Sequence, residues 1–251
     1  MSFLQNVLDI EATETKKDKM VLNEAKCNII TFNFSKKNIV PQNLQLNGNP
    51  LNPVSSIKLL GVTITADLRW KENTAQICKK VNKKFHFFRV LSVSHRKTEL
   101  LLNAWKVLLR PITEYATPLW HSGLSKSDSN KLESLQKKAV GIILGTIYLD
   151  HVRYYKVNSQ PVSYESALKY LNIPSLAERR ETLTSKFAIQ TFRNERHNNF
   201  FERKSYSRPG IRQKLTIQEP TCNTERYRKS ATIHMSRTLN KVYLETPIFP
   251  P

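Results

Sequence analysis

Asp9, Glu11, Glu14 and Asp18 are the nearest approach in this sequence to a set of metal-holding carboxylates. Metal-assisted phosphoryl transfer needs two or three carboxylates converging on the ions from fixed backbone positions. Here Asp9 follows an apolar helical pattern and the other three fall in a polar stretch, so the spacing predicts solvated charges. The six histidines, His86, His95, His121, His151, His197 and His234, form no H-E-x-x-H. Cys222 and His234 lack two further ligands at zinc-finger spacing, and no C-x-x-C occurs. No G-x-S-x-G surrounds a serine, and six glycines supply no phosphate-cradling loop. These patterns predict no catalytic residue, no metal, no cofactor and no small-molecule substrate.

Charge is the remaining chemistry. Forty Lys and Arg face twenty Asp and Glu, a formal +20. The cations cluster at Lys79-Lys80, Lys83-Lys84, Lys137-Lys138, Arg179-Arg180 and Arg226-Tyr227-Arg228-Lys229. One such cluster reads as a solvated helix face. All of them together in a chain of this charge favour a polyanion, and nucleic acid is the commonest. The candidate contacts are Lys79, Lys83, Arg89, Lys137, Lys138, Arg179 and Arg180. Tyr227 and Trp70 have rings suited to base stacking, with Trp70 better placed as core.

A membrane partner is not expected. No basic amphipathic helix with a bulky aromatic face opens the chain, and the longest apolar run, 139–144, is far short of a bilayer span. The first twenty residues hold no apolar signal segment. Three widely spaced cysteines, Cys27, Cys78 and Cys222, argue for a reducing compartment. The expected location is therefore intracellular, nuclear or cytoplasmic.

The elements that would position these cations follow from period and side-chain type. Residues 3–10 read as a short helix and 11–19 as a loop. Residues 26–34, 44–46, 51–54 and 57–64 read as strands of a small antiparallel sheet, with Asn47-Gly48 as a hairpin turn. Gly61, inside the last strand, suggests a bulge or a close backbone approach. From 74 the period becomes helical. Ile77, Val81, Phe85, Phe88 and Leu91 share one arc of a helix over 74–91. Lys79, Asn82, Lys83, His86 and Arg89 share the opposite arc, and the apolar arc should pack on Leu101, Trp105 and Leu108. Pro111 interrupts the following helix. Ser125 to Asp128 resembles a capping box for a helix that Gly145 stops. Residues 148–160 read as a polar connection, 163–171 as a helix, and Ser175 to Glu178 as a full capping box for a helix to about 192. Beyond 194 periodicity is lost. The expected class is α+β, mostly α: strands over 1–70, a helical bundle over 71–193, and a basic, largely disordered tail over 194–251.

Several of these stretches carry a resemblance. K-x-L-G-V, continued by Leu68 and Trp70 and then by a basic helix, resembles the primer grip and thumb entry of jockey-like non-LTR retrotransposon reverse transcriptases. Lys58, Leu60, Gly61 and Val62 hold the primer-grip-like positions. Met20, Leu22, Asn23, Lys26, Cys27, Ile29 and Phe32 match the family's segment after the catalytic turn, and Leu4, Gln5, Leu8 and Ile10 match the helix between them. R-P-x-x-E-Y-A-x-P-x-W-H at 110–121, L-E-x-L-Q-K-K-A from 132, the passage from Tyr164 to Arg180, and T-x-R-Y-R-K-S at 224–230 continue the match in order, the last resembling the usual C-terminal end of these elements and allowing a helix after it. The resemblance implies a chain that begins just after the catalytic carboxylates, comprising the end of the palm, the primer grip, a helical thumb and a tail. It implies sequence-independent binding of an RNA or DNA duplex, with magnesium belonging only to the intact parent enzyme. Strands 1–64 would then be the edge of a larger sheet. Residues alone leave two alternatives, an independent basic nucleic-acid-binding module and an element remnant without function. Pro111, Glu114, Tyr115 and Trp120 read as packing at a kink rather than as nucleic-acid contacts.

Overall fold

β-branched and turn residues dominate the first part of the chain, and apolar residues at helical spacing dominate the rest. The outcome is an α+β fold that is mostly α. The structure, a computed structural model, describes residues 3–33, 43–94, 97–149, 151–202 and 217–245. It divides into two compact units, Met1–Asn73 and Thr74–Pro251.

The first unit opens with α1 (Phe3–Lys17), which runs through the expected loop. Thr13 and Thr15 extend it, donating their hydroxyls to the carbonyls of Asp9 and Glu11 at 2.7 and 2.8 Å. The expected single sheet is three separate two-stranded ladders. β1 (Asn28–Ile29) pairs with β4 (Asn52–Pro53) in parallel. β2 (Gln45–Leu46) and β3 (Asn49–Pro50) form an antiparallel hairpin through Asn47-Gly48, whose φ values of 50° and 82° fit a type I′ turn. Two clasps hold this hairpin. The Gln5 amide bonds both backbone groups of Gln45, at 2.8 and 2.9 Å, and Glu24 accepts from Asn47 and Asn49. β5 (Ser56–Leu59) and β6 (Val62–Thr65) form a second antiparallel hairpin. Gly61 is not a bulge in one long strand. Leu60 (φ 46°) and Gly61 (φ 86°) are the two turn residues between two strands. Pairing of Leu59 with Val62 makes this a two-residue hairpin loop, and positive φ at both residues fits a type I′ turn.

The second unit is built on α2 (Lys71–Ser94), α3 (Thr98–Ala104), α4 (Arg110–Glu114), α5 (Thr117–Trp120) and α6 (Lys126–Leu144). Val81, Phe85 and Phe88 of α2 are fully buried, and the Phe85 ring stacks on Trp105 at 6.4 Å. Between α3 and α4, Trp105–Leu109 is one π-helical turn in which the Arg110 N–H reaches back to the Trp105 carbonyl. Pro111 has no N–H to give and crowds the preceding turn, and the wider turn absorbs that. The extra residue shifts the register by one. Leu101 and Trp105 of the expected stripe are buried, but Leu109 is buried in place of Leu108, which is exposed. At the next kink Ala116 takes φ 52°, and buried Trp120 donates to the Tyr115 carbonyl at 2.9 Å. Packing therefore accounts for Trp120.

Caps set the remaining helices. The Ser125 hydroxyl accepts from the Asp128 N–H, and Gly145 (φ 81°) ends α6. The residues read as a polar connection form instead a three-stranded antiparallel sheet of β7 (Thr146–Leu149), β8 (Val152–Val157) and β9 (Gln160–Val162). Tyr155 anchors it in the core. Ser163 caps α7 (Tyr164–Tyr170), and the predicted capping box of Ser175 and Glu178 opens α8 (Leu176–Arg193). Such caps contribute about 1 kcal/mol each.

The region expected to be a disordered tail is ordered in its described part. α9 (Glu225–Arg228) and α10 (Ala231–Glu245) follow Ile217, whose backbone exchanges two hydrogen bonds with the Asn240 amide at 2.8 and 3.1 Å. Leu239 of α10, Ile217 and Phe201 join Ala188 and Phe192 of α8 in one buried cluster. Composition gave no sign of this, because few but fully buried apolar side chains close the core. Residues 203–216 and 246–251 of that tail lie outside the described residues.

Candidate nucleic-acid interface

On α2 each residue advances about 100°, so Lys79, Asn82, Lys83, His86 and Arg89 fall within about 120° of arc. All five are exposed, while Ile77, Val81, Phe85 and Phe88 on the opposite side are buried. Among the described residues none of Lys79, Lys83 and Arg89 forms an ion pair, and α2 has no acidic residue after Glu72. Ile77, Val81, Phe85 and Phe88 pack inward, so the cations face outward, on an arc they share with exposed Val90 and Val93.

α6 borders this face. Lys138 donates to the Asn82 side chain at 3.1 Å and lies 4.5 Å over the Phe85 ring. Burial, with the nearby Arg89 charge, lowers the affinity of its ammonium for a proton. Lys137 lies 5.1 Å over the Tyr164 ring, on another side of α6. The two adjacent lysines therefore do not act together. Lys138 continues the α2 face, and Lys137 does not.

The Arg179-Arg180 pair separates for the same geometric reason. Arg179 and Arg110 both hold the Glu114 carboxylate, at 3.0 and 3.1 Å. Glu114 is thereby explained as packing chemistry. Arg180 is only 1% exposed and donates to Ser129 at 2.8 Å, with Nε and Nη1 making no hydrogen bond among the described residues. Desolvation favours loss of its proton. Arg180 cannot touch a duplex from that position and leaves the candidate set.

In the first unit Lys58, Leu60 and Gly61 are exposed at the end of the β5–β6 hairpin, and Val62 is buried beneath it. Asp9, Glu11, Glu14 and Asp18 stand on or just after α1, exposed or half-exposed, and Asp9 accepts from Gln5. They do not converge. In α9, Arg228 and Lys229 both pair with Glu225 at 3.3 Å, which reduces the charge that stretch offers.

One cluster was not visible in the sequence. His121 follows α5, Glu181 lies in α8 and His234 lies in α10. His121 Nε2 is 2.8 Å from Glu181 Oε2, and His234 Nε2 is 3.3 Å from the same oxygen. Burial holds the His121 imidazole below its ordinary value, against the pull of Glu181. No linear motif could signal three residues brought together from helices so far apart in the chain. His95 lies outside the described residues.

No family model, curated protein or solved structure matches this chain. Among the described residues no helix is long and apolar enough to cross a membrane.

Proposed function

We propose that the chain is the C-terminal part of a jockey-like non-LTR retrotransposon reverse transcriptase, and that it holds a primer–template duplex by its phosphates without copying it. The observation that carries this is the exposed arc of α2, with Lys79, Lys83 and Arg89 aligned and without an ion pair among the described residues while the other face is locked in the core. Cations on a rigid helix suit phosphates, which position a duplex and carry no sequence information. The motif order from Met20 to Ser230 supports the same reading, and Lys58, Leu60 and Gly61 are exposed on the β5–β6 hairpin, as a backbone-contacting grip requires.

Fluorescence anisotropy with labelled DNA–DNA and RNA–DNA duplexes of unrelated sequence tests this. Affinities within about threefold of one another, falling steeply with salt, are expected. Absence of binding at low salt, or a tenfold preference for one sequence, would overturn it. Primer extension with template, nucleotides and magnesium should give no incorporation above a heat-killed control.

A further inference from the structure

Three donor atoms converge where α5, α8 and α10 meet. The donor atoms of His121, Glu181 and His234 lie within 4.8 Å of one another. The two imidazoles meet edge to face, with centroids 5.7 Å apart at 83°. Both Nε2 atoms approach one carboxylate oxygen, yet only His121 makes a hydrogen bond to it. His234 Nε2 is buried without a hydrogen-bond partner among the described residues. One oxygen therefore faces two ring nitrogens and satisfies one.

A single divalent ion would satisfy all three groups. Zinc bonds to imidazole nitrogen and carboxylate oxygen are about 2.0–2.2 Å, and at tetrahedral angles these set neighbouring ligand atoms about 3.3 Å apart. The 3.3 Å separation of His234 Nε2 from Oε2 equals that spacing, and the 2.8 Å separation of His121 Nε2 is about 0.5 Å shorter, so His121 would move outward by that much on binding. Two imidazoles and one carboxylate are a donor set for zinc, whereas hard cations such as magnesium prefer oxygen alone. The Glu181 side chain is 48% exposed, leaving room for water as a fourth ligand.

We propose that His121, Glu181 and His234 form a zinc-type site that fastens α10 to α5 and α8. Two features limit its strength. Arg180 places a positive charge near His121, and His121 Nδ1 has no acceptor among the described residues to orient the ring. Binding is therefore expected in the micromolar range. The site is independent of the duplex reading, because α2 contributes nothing to it.

The test uses the full chain after chelation and dialysis. Zinc titration by calorimetry should give one equivalent, and cobalt should give visible absorption bands of four-coordinate intensity that zinc abolishes. Zinc should also raise the melting temperature and slow hydrogen exchange in α10 more than in α6. Glu181→Gln keeps the size and a hydrogen-bonding oxygen but should weaken zinc at least tenfold. His234→Gln should do the same, and His151→Gln should change nothing. If His234→Gln does not fold, Glu181→Gln decides alone. Failure to bind one equivalent, or unchanged affinity in Glu181→Gln, overturns the proposal.

Discussion

Replacing Lys79 and Lys83 together by alanine should change how duplex binding depends on salt, by an amount the helix geometry sets. The two lysines are about 6 Å apart along the α2 axis, and Arg89 lies about 15 Å from Lys79. One DNA strand carries a phosphate about every 3.4 Å of axis, so this run spans about four phosphates, enough for three contacts. Each contact contributes a slope of about −0.9 in log K against log salt, giving about −2.7 for the arc. The double variant keeps one contact and loses about 1.8 units of slope. Between 50 and 200 mM salt, the affinity advantage of the parent over the variant should then shrink about twelvefold. Both lysines are exposed and unpaired among the described residues, and surface changes of this kind alter stability by less than about 0.5 kcal/mol. Unfolding therefore cannot imitate the effect. Anisotropy across a salt series, with matched circular dichroism, makes the measurement. The control is Arg226→Ala with Lys229→Ala in the C-terminal region, since cutting the chain after Asn194 would uncover Ala188 and Phe192. An unchanged slope in the Lys79/Lys83 variant, or the full loss in the control, would refute the reasoning.

Leu239→Ala empties a fully buried position in the cluster shared by α8 and α10, and should cost about 2–5 kcal/mol in urea unfolding; a cost below about 0.5 kcal/mol would mean that α10 does not pack there. Arg180→Met removes a buried guanidinium with two nitrogens unbonded among the described residues, so stability should stay within about 1 kcal/mol of the parent or rise. A loss above about 3 kcal/mol would show that the charge is needed. Burial pushes the Cys78 thiol up, with Lys131 opposing and Asp128 adding to the shift. Less thiolate is present at pH 8 than in a free cysteine, so alkylation by iodoacetamide should be slower and should keep accelerating above about pH 8.5, where the free thiol is already half ionised. A pH 8 rate equal to that of free cysteine would contradict this.

Much of the helical unit can be read from local signals. Ser125 and Ser175 each accept the predicted backbone bond, and the buried and exposed arcs of α2 follow from period alone. The β7–β9 sheet escaped for a local reason too. Its second turn is Asn158-Ser159, with φ 49° and 65° and no glycine, so it lacked the usual hairpin mark. Adjacent cations also misled. Neighbours on a helix point about 100° apart, so Arg179 reaches Glu114 while Arg180 turns into the core. The cluster of Phe192, Phe201, Ile217 and Leu239 joins residues too far apart for any periodic window, as does the meeting of His121, Glu181 and His234. Local chemistry was legible, and long-range closure was not.

The union of α8 with α10 has a consequence for how the protein is made. Ala188 and Phe192 leave the ribosome well before Leu239, and at ordinary translation speed the interval between Phe192 and Leu239 is on the order of 2–10 s. During that time the apolar side of α8 has no native cover from α10, and it stays open to holding chaperones or to other nascent chains. A message that stops before Ala231 never supplies the cover. Such a product keeps every α2 cation but shows an open apolar face to the cell's quality control, so early stops in this region should act through protein turnover rather than through loss of the basic face.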